Sequence, residues 1–169
     1  HVRVNVAYIL FRSGHREQAE EVFLRVLESE PKQEDAWIGM AELSLSQGDR
    51  VKGLQYYRQA AKAIPDRSLA LYELAQLLVT PADLDMVLPD DDLSFLYGLG
   101  KVLLDLQKPE LAARVFESIV GLKPPTVNPW LDFARYYISE NEYSRADSIL
   151  HEAIQTMPDS VTLYLFRGA

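Results

Sequence analysis

Cysteine is absent from the 169-residue sequence. Disulfide bonds and thiolate metal sites are therefore excluded. The absence does not identify the compartment, because a helical protein can dispense with cysteine in a reducing or an oxidising environment. The sequence thus leaves the localisation unknown, and a cytoplasmic and a bacterial periplasmic location are both allowed.

Long apolar runs are also absent. No run approaches the roughly 18 residues that a membrane-spanning helix needs, so we expect no direct insertion of this segment into a membrane. Hydrophobic residues nevertheless make up 48% of the chain, which is enough to form a buried core. The sequence starts at His1 without a signal pattern and ends at Arg167-Gly168-Ala169, from which we expect a fragment of a longer protein.

Basic residues are too few for a nucleic-acid-binding protein. The chain has 17 Lys and Arg against 25 Asp and Glu, a net charge of −8, and a pI near 4.9. Such a chain has no excess of cations to displace the counterions of a phosphate backbone. We therefore expect no nucleic acid partner, and anionic membrane surfaces are disfavoured for the same reason.

Catalytic signatures are missing as well. Gly98-Leu-Gly100 could open a dinucleotide-binding loop, but Leu103 stands where the third glycine belongs and no strand precedes it. His15 and His151 are too far apart in sequence to form a zinc motif. We predict that the chain is not an enzyme and that it has no catalytic residue, no cofactor and no metal site.

Several residue types recur at fixed spacing. Prolines at 31, 65, 124 and 158 are separated by 34, 59 and 34 residues, and the middle spacing is one period of 34 plus 25. When each repeat is numbered so that this proline is place 32, small residues fall at places 8 and 20, and large ones at places 4 and 24. Place 8 holds Ala7, Ala41, Ala75, Gly100 and Ala134; place 20 holds Ala19, Gly53, Ala112 and Ala146; place 24 holds Phe23, Tyr57, Phe116 and Leu150; place 4 holds Trp37, Leu71, Leu96, Trp130 and Tyr164.

These columns resemble the tetratricopeptide repeat (TPR), a pair of helices with an aromatic at place 4, small residues at places 8 and 20, and proline near place 32. Two closely crossing helices need small side chains at the crossing and bulky ones beside it. The resemblance implies an all-α fold: a right-handed superhelical α-solenoid of antiparallel helix pairs, with one irregular truncated repeat. The predicted divisions are repeats 1–33, 34–67, 93–126 and 127–160, a truncated repeat 68–92, and the start of a further helix at 161–169.

The truncated repeat is the main departure from the pattern. Its first helix, from Ser68 to about Val79, is in register, but Thr80-Pro81 opens a segment that Pro89 ends after roughly two turns. A normal second helix needs about 14 residues. We therefore expect a short stub in its place.

The same 25 residues hold six acidic residues and no basic one. One interpretation is an acidic patch that binds a basic partner segment or a cation. The alternative is that the last three aspartates of the patch cap the helix starting near Leu93, and that the first two are solvated. The patch comprises Asp83, Asp85, Asp90, Asp91 and Asp92.

The resemblance also implies where a partner binds. In similar proteins the first helix of each pair lines a concave groove, which takes an extended or helical segment of another protein. Aromatic and adaptable polar side chains at the groove places favour such binding. An alternative is that some of the tyrosines only cover the neighbouring repeat. The predicted groove residues are Tyr8, Phe11, Arg12, Ile38, Glu42, Tyr72, Gln76, Tyr97, Lys101 and Arg135.

Three functions are consistent with these patterns. The first is a non-catalytic scaffold that binds a peptide or helix segment of another protein, with a basic segment favoured by the acidic patch. The second is the periplasmic TPR region of a bacterial exopolysaccharide export or outer-membrane secretion protein, which guides polymer or recruits modifying enzymes. The third is a regulatory repeat region of a larger enzyme. Leu163, Leu165 and Phe166 also predict an apolar end through which 161–169 self-associates.

Overall fold

The computed structural model describes residues 2–63, 69–88 and 90–168. These residues form eleven α-helices and no strand, which confirms the all-α prediction. The helices are α1 (Val2–Arg12), α2 (Arg16–Ser29), α3 (Glu34–Ser46), α4 (Arg50–Ala63), α5 (Leu69–Leu77), α6 (Pro81–Asp85), α7 (Leu93–Asp105), α8 (Pro109–Gly121), α9 (Val127–Ser139), α10 (Tyr143–Thr156) and α11 (Val161–Gly168).

The chain divides into two compact units, a first unit His1–Gly98 and a second unit Leu99–Ala169. Within the first unit α1 packs on α2 and α3, and α4 packs on α3 and α5. Within the second unit α9 packs on α8, α10 and α11. We call the odd-numbered helices A helices, and α2, α4, α8 and α10 B helices.

The turn inside each full helix pair uses the same backbone conformation at place 15. Gly14 and Gly48 have φ of 87° and 82° there, and Gln107 and Asn141 have φ of 56° and 61°. Glycine adopts this left-handed region without penalty, whereas a residue with a Cβ is strained in it. The turn is thus a property of the repeat, and two of its four occurrences carry strain.

Replacing Gln107 with glycine is expected to stabilise the chain by about 0.5 to 1 kcal/mol, because strain at a positive φ is removed. Asn141→Gly should gain less, since asparagine tolerates this region better than glutamine does. Urea unfolding followed by circular dichroism measures both changes. A loss of stability in Gln107→Gly would contradict the assignment.

The small residues at places 8 and 20 lie where A and B helices cross. Ala41 and Gly53 are buried at the crossing of α3 and α4. A Cβ on Gly53 would lie 2.6 Å from Leu45 Cδ2 and 3.5 Å from the Ala41 carbonyl oxygen. The crossing therefore has no room for a side chain at this place.

The tryptophans at place 4 donate hydrogen bonds to the backbone of the proline column. Trp37 Nε1 donates a hydrogen bond to the Pro31 carbonyl oxygen at 2.8 Å, and Trp130 Nε1 donates to the Pro124 carbonyl oxygen at 3.1 Å. Each bond ties the turn that ends one repeat to the A helix of the next. The tryptophan and proline columns thus contact each other at the same junction between repeats. Pro65, from the same column, lies outside the described residues.

The truncated repeat has an A helix, α5 (Leu69–Leu77), and only the five-residue α6 in the place of a B helix. Thr80 caps α6 in a capping box: its side chain accepts from the Asp83 N–H, and the Asp83 carboxylate accepts from the Thr80 N–H. The stub is thus shorter than the two turns expected. Ser68 and Pro89, the predicted limits of this repeat's helices, lie outside the described residues.

Candidate functional site

Asp83 is a buried anchor of the truncated repeat. Its carboxylate accepts hydrogen bonds from Arg50 Nε at 3.0 Å and from the backbone N–H groups of Val79 and Thr80. The bond from Arg50, with those from Thr80 and Val79, lowers the pKa of Asp83 well below its usual range, although burial opposes the shift. Asp83 is therefore ionised and neutralised by α4.

Asp90 is a second anchor, and its side chain is fully buried. It accepts from Arg58 Nε at 2.7 Å, from Lys62 Nζ at 2.9 Å and from the Asp92 N–H at 2.8 Å. Burial by itself would raise the pKa of Asp90, but these three donors outweigh burial and lower it. Two cations of α4 thus hold one carboxylate.

The five residues of the predicted acidic patch do not all reach solvent. Asp83 and Asp90 are buried in ion pairs, and the expectation that Asp83 is solvated is wrong. Asp92 caps α7, because its carboxylate accepts from the Phe95 N–H at 3.1 Å. Only Asp85 and Asp91 of the five are exposed. The charge count along the sequence missed the bases because they belong to α4.

Most predicted groove residues of the first unit reach solvent. Arg12, Tyr72 and Gln76 are exposed, and the structure leaves four others partly exposed: Tyr8, Phe11, Glu42 and Tyr97. Ile38 is the exception, with 7% of its surface exposed. The assignment of Ile38 to the groove surface is wrong because α3 is covered by α1, α2 and α4 and is buried on several sides.

Two partly exposed groups on this face, Glu42 and Tyr8, and the buried Tyr57 of α4 lie close to several carboxylates. Burial raises the pKa of Glu42; Arg12 lowers it, and the charge of Glu73 adds to the increase. Burial and the Glu42 charge raise the pKa of Tyr57 to about 12, with Glu73 contributing. The pKa of Tyr8 is raised by burial, then by Glu42 and Asp35. Carboxylates of α3 and α5 therefore act together on the titratable groups of this face.

Tyr8 occupies the centre of the α1 part of this face. Its ring packs edge-on against Phe23 with a centroid separation of 5.2 Å, and its hydroxyl donates to the Asp35 carbonyl oxygen at 3.2 Å. A surface cavity of about 300 Å³ lies beside it, lined by Asn5, Tyr8, Ile9 and Arg12. We call the exposed and partly exposed side chains of α1, α3 and α5 on this side the inner face of the first unit: Tyr8, Phe11, Arg12, Glu42, Tyr72, Glu73 and Gln76.

The second unit has its own cavity, between α7 and α9. Its volume is about 380 Å³, and both predicted groove residues of this unit, Lys101 and Arg135, line it. Arg135 bonds to Asp132 at 3.1 Å and lies 5.3 Å from the Phe166 ring centroid. The remaining lining residues are Leu104, Asp105, Asp132, Tyr136 and Ser139.

Glu73, Asp132 and Tyr136 were not predicted to be groove residues. Glu73 and Asp132 occupy place 6, and Tyr136 occupies place 10, whereas the ten predicted groove residues occupy places 5, 9, 12 and 13. The sequence could have indicated these residues in part, because the place that follows 5 or 9 on a helix lies on an adjacent face. Which of these places reaches solvent depends on how the neighbouring helices pack.

The predicted apolar end is only partly exposed. Leu163 is buried and Phe166 is half-buried beneath Arg135, so two of its three predicted apolar residues are already covered. Leu165, Tyr164 and Val161 are 70%, 51% and 68% exposed. Self-association through this end stays a prediction, now resting on Leu165 and its exposed neighbours.

Leu165→Glu is expected to weaken self-association about tenfold, because a charge would have to be buried in the contact. Sedimentation equilibrium over a range of concentrations measures it, with wild-type chain compared directly. A monomeric mass for the wild type at the highest attainable concentration would show that this end does not self-associate.

Among residues 2–63, 69–88 and 90–168, no three His, Asp or Glu side chains are placed to hold a metal ion. In the same ranges, no helix has the length and apolar character to cross a membrane.

The chain was compared with protein-family models, with curated proteins and with solved structures. A model of the tetratricopeptide repeat family matches residues 7–68. A search of curated proteins found no match.

Solved structures similar to this chain include three proteins of low sequence identity. The chain is 17% identical to YrrB, described as a TPR protein with an unusual peptide-binding site (99% of this chain and 91% of that one, TM-score 0.45). It is 20% identical to pilF of Pseudomonas aeruginosa (97% and 79%, TM-score 0.43) and 17% identical to a thermophilic TPR protein of Thermus thermophilus (98% and 95%, TM-score 0.43).

The match to the family model begins within α1, covers α2, α3 and α4, and includes the junction at Trp37. It confirms the resemblance that the proline, small-residue and aromatic columns indicated. Residues 7–68 of this chain thus match the tetratricopeptide repeat family model.

Proposed function

We propose that this chain is a non-catalytic scaffold that binds a segment of another protein on the inner face of its first unit. The observation that carries the proposal is the exposure of this face. Seven of the eight groove residues predicted in the first unit keep solvent-accessible surface, although each lies on a helix whose other side is buried. A face that only covered a neighbouring repeat would have lost that surface.

The chemistry of the inner face supports a protein segment as the occupant. Tyr8, Phe11 and Tyr72 offer aromatic surface, and Arg12, Glu42 and Gln76 add polar groups near them. Aromatic side chains with adaptable polar neighbours are typical of peptide-binding surfaces, because they provide a large contact area at low entropic cost. The alternatives of an exopolysaccharide export region and a regulatory region of an enzyme stay predictions, which no described contact favours.

The test uses a displayed library of random peptides of about 12 residues, long enough to follow one A-helix face. Peptides selected on the wild-type chain are synthesised, and their Kd values are measured by fluorescence anisotropy. Tyr72→Ala should weaken binding about tenfold or more, since an exposed central tyrosine contributes much of the energy of such contacts. Tyr97→Ala, which removes the next tyrosine along the predicted groove, should weaken it as well.

Tyr143→Ala is the matched control, because Tyr143 is 62% exposed but begins a B helix, α10. It should leave Kd unchanged. Equal Kd values for wild type, Tyr72→Ala and Tyr97→Ala would place the site elsewhere than the inner face.

A further inference from the structure

We infer that the partner segment is basic, and that it places a lysine or arginine side chain against Glu42 and Glu73 on the inner face of the first unit. The inference rests on the proposed function, because it names the chemistry of the segment that this face binds. Four observations carry it: a half-buried carboxylate, a second carboxylate beside it, aromatic surface on either side, and an excess of negative charge.

Glu42 is a partly buried carboxylate without a direct partner in the described part of the chain. It makes no hydrogen bond or ion pair with another described residue, although it lies within electrostatic range of Arg12. A carboxylate that has lost part of its hydration gains more from a cation than an exposed one does. A cationic side chain arriving from solvent would supply the missing interaction.

Glu73 places a second carboxylate near the first, on the next A helix. The two negative charges repel each other: besides burial, the charge of Glu73 raises the pKa of Glu42, and both carboxylates raise the pKa of the Tyr57 phenol. A cation between two like charges relieves their repulsion as well as pairing with each of them. A single positive group placed between Glu42 and Glu73 is therefore favoured over a neutral group in the same position.

Aromatic rings border this position on both sides along the face. Tyr8 lies on α1 beside the 300 Å³ cavity, and Tyr72, 44% exposed, lies next to Glu73 on α5. The methylene stem of lysine or arginine packs along such rings while its charged end reaches a carboxylate. A guanidinium or ammonium group is also attracted by the face of a tyrosine ring.

The charged groups that act electrostatically on Tyr8, Glu42 and Tyr57 lie on three helices. They are Arg12 of α1, Asp35 and Glu42 of α3, and Glu73 of α5, with the phenols of Tyr8 and Tyr57. Three carboxylates thus face one guanidinium, and an acidic segment would meet repulsion from Asp35 and Glu42. The cavity of the second unit lacks this excess, because Lys101 and Arg135 balance Asp105 and Asp132 there.

The experiment compares peptides selected from the random library by the wild-type chain and by the double variant Glu42→Gln, Glu73→Gln. We expect peptides selected by the wild type to be enriched in lysine and arginine, and their Kd to rise about tenfold or more in the double variant. Their binding to the wild type should also weaken as salt is raised. Glu17→Gln, Glu28→Gln is the matched control: it changes the net charge equally on the exposed B-helix surface of α2 and should leave Kd unchanged.

The outcomes separate this inference from the proposed function. Selected peptides without basic enrichment, weakened by Tyr72→Ala but not by the double variant, would overturn the basic partner and leave inner-face binding intact. Equal weakening in the double variant and in the α2 control would also overturn it, since the effect would then follow net charge alone. Failure to select any peptide, or binding indifferent to every inner-face variant, would overturn both. Circular dichroism of each variant verifies that it is folded.

Discussion

Asp90→Ala is expected to lower the free energy of unfolding by about 2 to 4 kcal/mol, a large effect for a single side chain. The Asp90 carboxylate is fully buried, and its removal leaves Arg58, Lys62 and the Asp92 N–H without their acceptor. The two cations are 25% and 27% exposed, so water recovers part of the loss. Urea unfolding followed by circular dichroism measures the change.

Asp91→Ala is the control for this experiment, because Asp91 is the exposed neighbour of Asp90. It should change the stability by less than about 0.5 kcal/mol. Equal effects of the two substitutions would show that the Asp90 ion pairs do not hold the truncated repeat to α4.

The same contacts predict how stability depends on pH. The pKa values of Asp83 and Asp90 are lower in the folded chain than the value of about 3.9 expected when it is unfolded. Their contribution is therefore complete above about pH 5 and is lost as the pH falls through the folded-state pKa values. Unfolding of the wild type measured from pH 6 to pH 2 should show this loss, and Asp90→Ala should show less of it. An identical pH dependence in both chains would contradict the assignment.

Gly39→Ala is the second substitution with a large expected effect. A Cβ at this position would lie 2.2 Å from Cζ of Phe23, a ring that is fully buried between helices. The ring cannot retreat without disturbing its neighbours, so we expect a destabilisation of about 1 to 3 kcal/mol. This occurs although alanine favours helix over glycine by about 1 kcal/mol.

Gly121→Ala provides the comparison, because nothing lies within 4 Å of a Cβ at the last residue of α8. The same chemical change should be neutral or stabilising there. Gly100→Ala should lie between the two, since its Cβ would come no closer than 3.1 Å to Phe116. A smaller loss for Gly39→Ala than for Gly100→Ala would contradict the packing.

The helix pairs could be predicted from sequence because their signals are local and periodic. Ala41 and Gly53 mark a crossing whose two helices are adjacent in the chain, and Trp37 bonds to a proline carbonyl six residues earlier. Such contacts recur at fixed places whatever the rest of the chain does. The division into helices therefore followed from the columns alone.

The electrostatic partners could not be predicted in this way. Asp83 pairs with Arg50, 33 residues earlier, and Asp90 pairs with Lys62, 28 residues earlier. No column relates these positions, since the truncated repeat breaks the period just where they occur. Gly39 could not be predicted either. It packs against Phe23 of the preceding repeat, and its position belongs to none of the recurring columns.

The sequence assigned the candidate site to faces of the A helices, and the binding role of these residues stays a prediction. Tyr8, Tyr72 and Arg12 lie on accessible A-helix surface, whereas Ile38 does not because α3 is enclosed. The proximity of Glu42 to Glu73 depends on the packing of α3 beside α5, which the sequence pattern does not specify. Charge complementarity therefore had to be taken from the structure.

Amide chemical-shift mapping tests inner-face binding most directly. A selected peptide is titrated into the isotopically labelled chain, and the residues whose amide signals move are assigned. We predict that the largest shifts fall on α1, α3 and α5, around Tyr8, Glu42 and Tyr72. Shifts confined to the B helices α2 and α4, or to α11, would contradict inner-face binding.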